Sequence, residues 1–238
     1  MDDDLSWKES TVTYDDKLFI FDFDGTLANS RKNIVNSFNH ALQLHGFTPY
    51  DPARVHPMIG KYTLLEMFEE ACPDSDPQEL DTYMASFSDY QLSHVDTEIE
   101  LFPHVRSTLV ELIKRGATLA IATTKRTHQI ETILTEMDLA KLFKVVFGQG
   151  TLAVHKPDPA CIQYIWDNLD KPFSTDNTVM IGDSMTDVKT AMNAHIKMIA
   201  VTHGTDTPDT MRQHGAEHFI ESFDELLDEP LIEQVFTS

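Results

Sequence analysis

The sequence predicts an α/β fold, a parallel sheet covered by helices on both faces, interrupted early by an inserted helical domain. Two patterns predict it. From about residue 103 onward, amphipathic helical stretches alternate with short, apolar, β-prone runs, as expected for helices crossing over a parallel sheet. Between residues 30 and 102 that alternation stops and only helical periodicity remains.

In chain order, residues 1–16 are polar and acidic and form a lead-in. Residues 17–23 (KLFIFDF) are apolar and end at an Asp-Gly turn signal, which predicts a buried strand. The insertion follows, with amphipathic helices at 31–45, 62–71 and 78–94 and no convincing strand between them. Pro103, after the acidic residues Glu98 and Glu100, marks the return to the core. A helix at 105–115 stops at Gly116 and leads to a strand at 117–122; a helix at 127–137 leads to a strand at 144–147. A helix at 159–169 then precedes a strand at 178–181, and a helix at 185–194 precedes a strand at 197–201. A short helix at 208–214 completes the series. The expected core is therefore residues 15–29 plus 103–238, and the insertion 30–102.

Composition narrows the class. A chain of 238 residues, 41% hydrophobic and 24% charged, can bury a sizeable core without disulfides. Its two cysteines, Cys72 and Cys161, have no framework or metal spacing and read as free thiols in a reducing compartment. The N-terminus is acidic where a secretory signal would be basic and then apolar, and apolar runs such as 18–21 are too short to cross a bilayer. The expected location is the cytoplasm. Eighteen Lys and Arg against 39 Asp and Glu leave a formal net charge of −21. That field repels nucleic acid and anionic membranes, so neither is an expected partner. Any phosphate site in such a chain needs its own local positive charge.

Ligands of open α/β sheets collect at the carboxyl ends of the strands. Four segments at such ends carry chemistry: Asp22-Phe23-Asp24-Gly25-Thr26, Thr123-Thr124-Lys125, Lys156-Pro157-Asp158-Pro159, and Gly182-Asp183-Ser184-Met185-Thr186-Asp187. Asp22 and Asp24, two residues apart at a strand end, can face one pocket. Two close carboxylates need a cation or a shared proton to relieve their repulsion. Asp183 and Asp187 can complete an all-oxygen site of the kind that suits magnesium, which also bridges to substrate phosphate. Lys156 supplies fixed positive charge and Thr123 a hydroxyl donor for phosphate oxygens. Singly, most of these segments read as ordinary turns, loops and caps. Four of them at the ends of strands of one sheet point to a site.

This set of motifs resembles the haloacid dehalogenase superfamily of phosphohydrolases, in particular its phosphoglycolate phosphatase-like branch with a helical cap. The resemblance spans roughly residues 17–204 and is closest over 18–30 (LFIFDFDGTLANS). It implies a Rossmann-like core, with the insertion at 30–102 acting as the cap. It implies that Asp22 attacks phosphorus to form an aspartyl-phosphate, and that Asp24 protonates the leaving oxygen and then deprotonates water. Magnesium would be held by Asp22, the backbone carbonyl of Asp24 and Asp183, with Asp187 in support. Thr123 and Lys156 would steady the transferring phosphoryl group. Thr26, Thr124, Lys125 and, more weakly, Ser184 would lie near substrate, as would Arg54, His56, Gly60 and Lys61 from the cap. The implied substrates are small phosphorylated metabolites: phosphoglycolate-like monoesters, pyrophosphate or nucleoside monophosphates. A phosphosugar mutase of the β-phosphoglucomutase type is the alternative within the fold, and a phosphoacceptor signalling module the alternative outside it. Dehalogenation is disfavoured, because the dehalogenases lack an acid at the position of Asp24. The chain departs from the family pattern at Thr124, where Asn is frequent, at His195, where Gly commonly follows Ala, and at His203-Gly204-Thr205.

Other signals fall away. Residues 148–153 (GQGTLA) match a dinucleotide fingerprint, but Pro157 and Pro159 follow where a helix should open. The 11 histidines are scattered without zinc-site spacing. Phe38, Phe47, Phe68 and Phe87 read as packing within the insertion.

Overall fold

The computed structural model describes residues 13–237; the acidic lead-in up to residue 12 lies outside them. Six strands form one parallel sheet: β1 (Leu18–Phe21), β4 (Thr118–Arg126), β5 (Val145–Gln149), β6 (Thr178–Gly182), β7 (Lys197–Val201) and β8 (His218–Ile220). Their spatial order is β5-β4-β1-β6-β7-β8. Counted within the sheet, that is 3-2-1-4-5-6, the doubly wound arrangement whose winding reverses beside its first strand and opens a crevice there. β1 is central and wholly buried, so the residues just after it enter that crevice.

Period-two alternation divides the core into two layers. Phe19 and Phe21, with Leu119, Ile121, Val179 and Ile181, face α6 (Val105–Lys114), α7 (Thr127–Glu136) and α11 (Glu229–Thr237). Leu18 and Ile20, with Ala120, Ala122 and Met180, face α8 (Ala160–Asp167), α9 (Met185–Asn193) and α10 (Pro208–Gln213). Among the described residues no helix is long and apolar enough to cross a membrane, and Cys72 and Cys161 are buried and unbridged.

Between β1 and α6 the chain forms α1 (Arg31–Leu44), α2 (Pro52–Val55), α3 (Leu64–Ala71), α4 (Pro77–Ser93) and α5 (Val95–Glu98). These helices bury an apolar cluster separate from the sheet's, centred on Phe38, Phe68, Met84 and Phe87, with Phe47 packed at its edge. Capping boxes start α3 (Thr63 with Glu66) and α4 (Asp76 with Glu79). A two-stranded antiparallel ribbon, β2 (Ala28–Asn29) and β3 (Glu100–Leu101), ties together the two connections to the core.

Three features depart from the sequence reading. The ribbon has no counterpart in the sequence reading, β2 falling just ahead of the stretch read as purely helical and β3 within it; its two-residue strands are too short to show a period. β8 and α11 lie beyond the last expected element, β8 being only three residues long. β4 runs four residues past 122, so Thr123, Thr124 and Lys125 stand on extended strand rather than in a loop.

Candidate active site

Register sets the site. Phe21 is paired with Ile121 on one side and Ile181 on the other, so Asp22 emerges level with Ala122 and Gly182. Its backbone N–H still donates to the carbonyl of Ile181 at 2.9 Å. One step further along the flanking strands come Thr123 and Asp183, both buried. Beyond Asp22 the chain turns sharply: the carbonyl of Phe23 accepts from the N–H groups of Leu27 and Ala28 at 2.9 and 3.0 Å. Gly25 makes the turn possible, with φ +78° and with Asp183 packed where a side chain would stand. Gly204, from the loop after β7, approaches Asp183 just as closely.

Asp22, Asp183 and Asp187 present carboxylate oxygens within 4.8 Å of one another, all buried. Lys156, on the loop between β5 and α8, reaches in with its ammonium 3.0 Å from Asp22 and 2.6 Å from Asp187. Three carboxylates against one ammonium leave about two excess negative charges in a site shielded from water. Burial pushes Asp22 up to about 8; Lys156 opposes this, and the neighbouring carboxylates of Asp187, Asp183 and Asp24 add to it. Asp183 is likewise raised to about 6, by burial and then by Asp187, against hydrogen bonds from Thr26 and Thr205. Burial pulls the Lys156 ammonium down, but Asp187 and Asp22 more than offset this and hold it above the ordinary lysine range. The cluster can therefore hold either protons or a divalent cation, and its all-oxygen donor set fits a hard ion.

The residues singled out in the sequence divide by position. Asp187 is fully engaged by the protein: Oδ1 takes Lys156, and Oδ2 takes Asp183 N–H, Ser184 N–H and the Ser184 hydroxyl at 3.1, 3.0 and 2.7 Å. Asp24 stands outside the three-carboxylate cluster. One of its oxygens accepts from the Ser30 hydroxyl, and the other lies 2.9 Å from Lys125. Thr26 is wholly buried and donates to Asp183 at 2.8 Å, so it positions that carboxylate rather than facing a substrate. The Thr123 hydroxyl accepts from the N–H of Lys125 at 3.3 Å.

Asp22 and Asp24 line a cavity of about 60 Å³ with Thr124, Lys125 and Gly60. Gly60 also borders a second cleft, which is lined by Arg31, His56 and Lys61. Arg54 is turned elsewhere, stacked on the Tyr50 ring and paired with Glu70 at 3.6 Å. The sequence reading missed Gln91, Arg126, Gln129 and Gln149, which also line the Asp22 cavity. Arg126 directly follows the Thr123–Lys125 segment. Gln91 had a subtler signal, a polar residue continuing the apolar stripe of Leu80, Met84 and Phe87 on α4.

The chain is similar to known proteins over most of its length. A family model described as haloacid dehalogenase-like hydrolase matches residues 19–201. A phosphoglycolate phosphatase of Colwellia psychrerythraea is 29% identical over 89% of this chain and 95% of its own. A pyrophosphatase PpaX of Halalkalibacterium halodurans is 28% identical over 88% of this chain and 94% of its own. The crystal structure of a predicted phosphoglycolate phosphatase from Haemophilus somnus superposes with a TM-score of 0.80 at 26% identity, covering 89% of this chain and 96% of that one.

Proposed function

The chain belongs to the haloacid dehalogenase-like hydrolase family, and from that premise we propose that it is a magnesium-dependent phosphatase of small phosphorylated metabolites, working through an aspartyl-phosphate on Asp22. The observation that carries this reading is Asp22 itself. It is buried at the end of the central strand, 3.0 Å from the Lys156 ammonium, and it borders a cavity that Asp24 also lines.

In the first half-reaction an Asp22 oxygen bonds to phosphorus as the ester P–O bond breaks, and Asp24 gives its proton to the departing alkoxide. In the second, water attacks phosphorus and loses a proton to Asp24, the Asp22–phosphorus bond breaks, and inorganic phosphate leaves. Lys156 and Thr123 hold the phosphoryl oxygens and offset the charge that grows on them. Asp22 and Asp183 would hold magnesium, which when bound supplies positive charge for the phosphoryl group and keeps Asp22 ionised. Asp187 orients Lys156 and the turn at Asp183. The helical unit spanning residues 30–102 is the cap: it supplies the outer wall of the cavity and, with the core at 15–29 and 103–238, encloses the reacting groups away from bulk water. Monoesters related to phosphoglycolate and the phosphoanhydride pyrophosphate are the substrate classes that the relatives suggest.

Release of inorganic phosphate from a panel of such compounds tests the reading. Asp22→Asn is expected to abolish release while leaving the circular dichroism spectrum unchanged. EDTA is expected to stop the wild-type reaction, and magnesium to restore it. Turnover by the variant near the wild-type rate, or activity indifferent to EDTA, would overturn it.

A further inference from the structure

Two of the groups lining the cavity beside Asp24 that the mechanism does not use stand out. Gln91, on α4, is completely buried, yet neither its amide oxygen nor its amide nitrogen has a hydrogen-bond partner among the described residues. A buried amide in that state costs free energy unless something else satisfies it. Arg126, at the end of β4, lines the same cavity. Its guanidinium offers five donors, but the contact it makes is with the Met84 thioether sulfur at 3.2 Å, a weak acceptor, and no carboxylate pairs with it among the described residues. The other two cations of the site are committed, Lys156 to Asp22 and Asp187 and Lys125 to Asp24. Arg126 is therefore the cation left for a substrate anion other than the phosphoryl group itself.

Most of the rest of the outer wall is apolar: Ile59, Leu64, Met67 and Phe87 come from the helical unit, with Tyr62 beside them. An apolar wall gains from hydrocarbon and nothing from a bare phosphate leaving group.

We propose that Gln91 and Arg126 are specificity-determining residues that read the leaving group, and that the preferred leaving alcohol is an apolar carbon chain, longer than glycolate, ending in a carboxylate. The carboxylate pairs with the Arg126 fork and accepts from the Gln91 amide, while the chain lies on Ile59, Leu64, Met67 and Phe87. This rests on the phosphatase reading above.

The test compares three synthetic monoesters: phosphoglycolate, 4-phosphooxybutyrate and n-butyl phosphate. The last two have chains of equal length and differ only at the terminal group. Wild-type kcat/KM is expected to be about 15-fold higher for 4-phosphooxybutyrate than for phosphoglycolate, the worth of two further buried methylenes. The ratio of kcat/KM for 4-phosphooxybutyrate over n-butyl phosphate is expected to fall about 100-fold in Arg126→Ala and about tenfold in Gln91→Leu, the scale of a lost charge-assisted and a lost ordinary hydrogen bond. A ratio that moves in neither variant, or a wild-type preference for phosphoglycolate, would overturn the proposal. If the wild type hydrolysed none of these three and nothing in the wider panel, the phosphatase reading would fall, and calorimetric binding would still decide the pocket. Tighter binding of 4-phosphooxybutyrate than of n-butyl phosphate to the wild-type protein would support it, and equal binding would overturn it.

Discussion

Replacing Asp187 by asparagine distinguishes two readings of the acidic cluster by the sign of a stability change. Asp187 is fully buried, and both its oxygens are already spoken for: one by the Lys156 ammonium at 2.6 Å, the other by two backbone N–H groups and the Ser184 hydroxyl at 2.7–3.1 Å. An asparagine has one acceptor and one donor at those two positions. With its oxygen toward the turn, its NH2 opposes the Lys156 ammonium; with its oxygen toward Lys156, its NH2 opposes three donors. Either orientation breaks a buried ion pair, which costs about 3–5 kcal/mol when one partner is removed. The expected result for Asp187→Asn is a loss of that size in urea denaturation in EDTA and, with magnesium present, a fall in kcat of about 100-fold as Lys156 loses its anchor. If Asp187 were simply a third metal-ligating carboxylate, its neutralisation would relieve repulsion in the metal-free protein and raise stability. A metal-free variant as stable as the wild type, or more so, would refute the positioning role.

Three further outcomes follow from the same physics. Asp22 ionises near 8 when folded, against an ordinary value of 3.8, so the metal-free native state holds a proton that the unfolded chain has released. Stability in EDTA should therefore fall as pH rises from 6 to 8, by up to about 1.4 kcal/mol per pH unit. Magnesium, which binds only the ionised form, should remove the loss, and a flat or rising urea-denaturation profile in EDTA would contradict the assignment. Gln91→Leu removes two unpartnered buried polar atoms at similar volume, so thermal melting should show it more stable by about 1–3 kcal/mol; a destabilised variant would mean the amide is satisfied in solution. His195 ends α9 with φ 55°, a left-handed conformation that glycine adopts freely. His195→Gly should stabilise the protein by about 0.5–1 kcal/mol without changing activity, and a lower melting temperature would count against strain there.

What could be read in the sequence, and what could not, follows from how each side chain reaches the site. Asp22, Thr123 and Asp183 sit at the ends of adjacent parallel strands. Once the strands are placed, in-register pairing brings those ends together, so local motifs carry three-dimensional information. Lys156 comes instead from the loop between β5 and α8, and its Lys-Pro motif rather than strand register marks it. The direction in which a side chain points is less secure. Thr26 belongs to the same motif as Asp22 and Asp24, yet the left-handed turn at Gly25 directs its hydroxyl to Asp183 and away from the cavity. The helical unit defeats the approach for a different reason. Periodicity shows which stripe of α4 is buried, and Gln91 stands out as polar on that stripe, but a stripe can face another helix of its own unit or the sheet beyond it. Met84 packs in the helical core while Phe87 and Gln91, further along α4, reach the cavity that Asp24 lines. Nothing in the spacing of α4 marks that transition, because it depends on how the unit docks on the strand ends. Chemistry carried on strand ends is therefore readable from sequence, whereas the choice of leaving group, made on a helix that docks from outside, needs the tertiary structure.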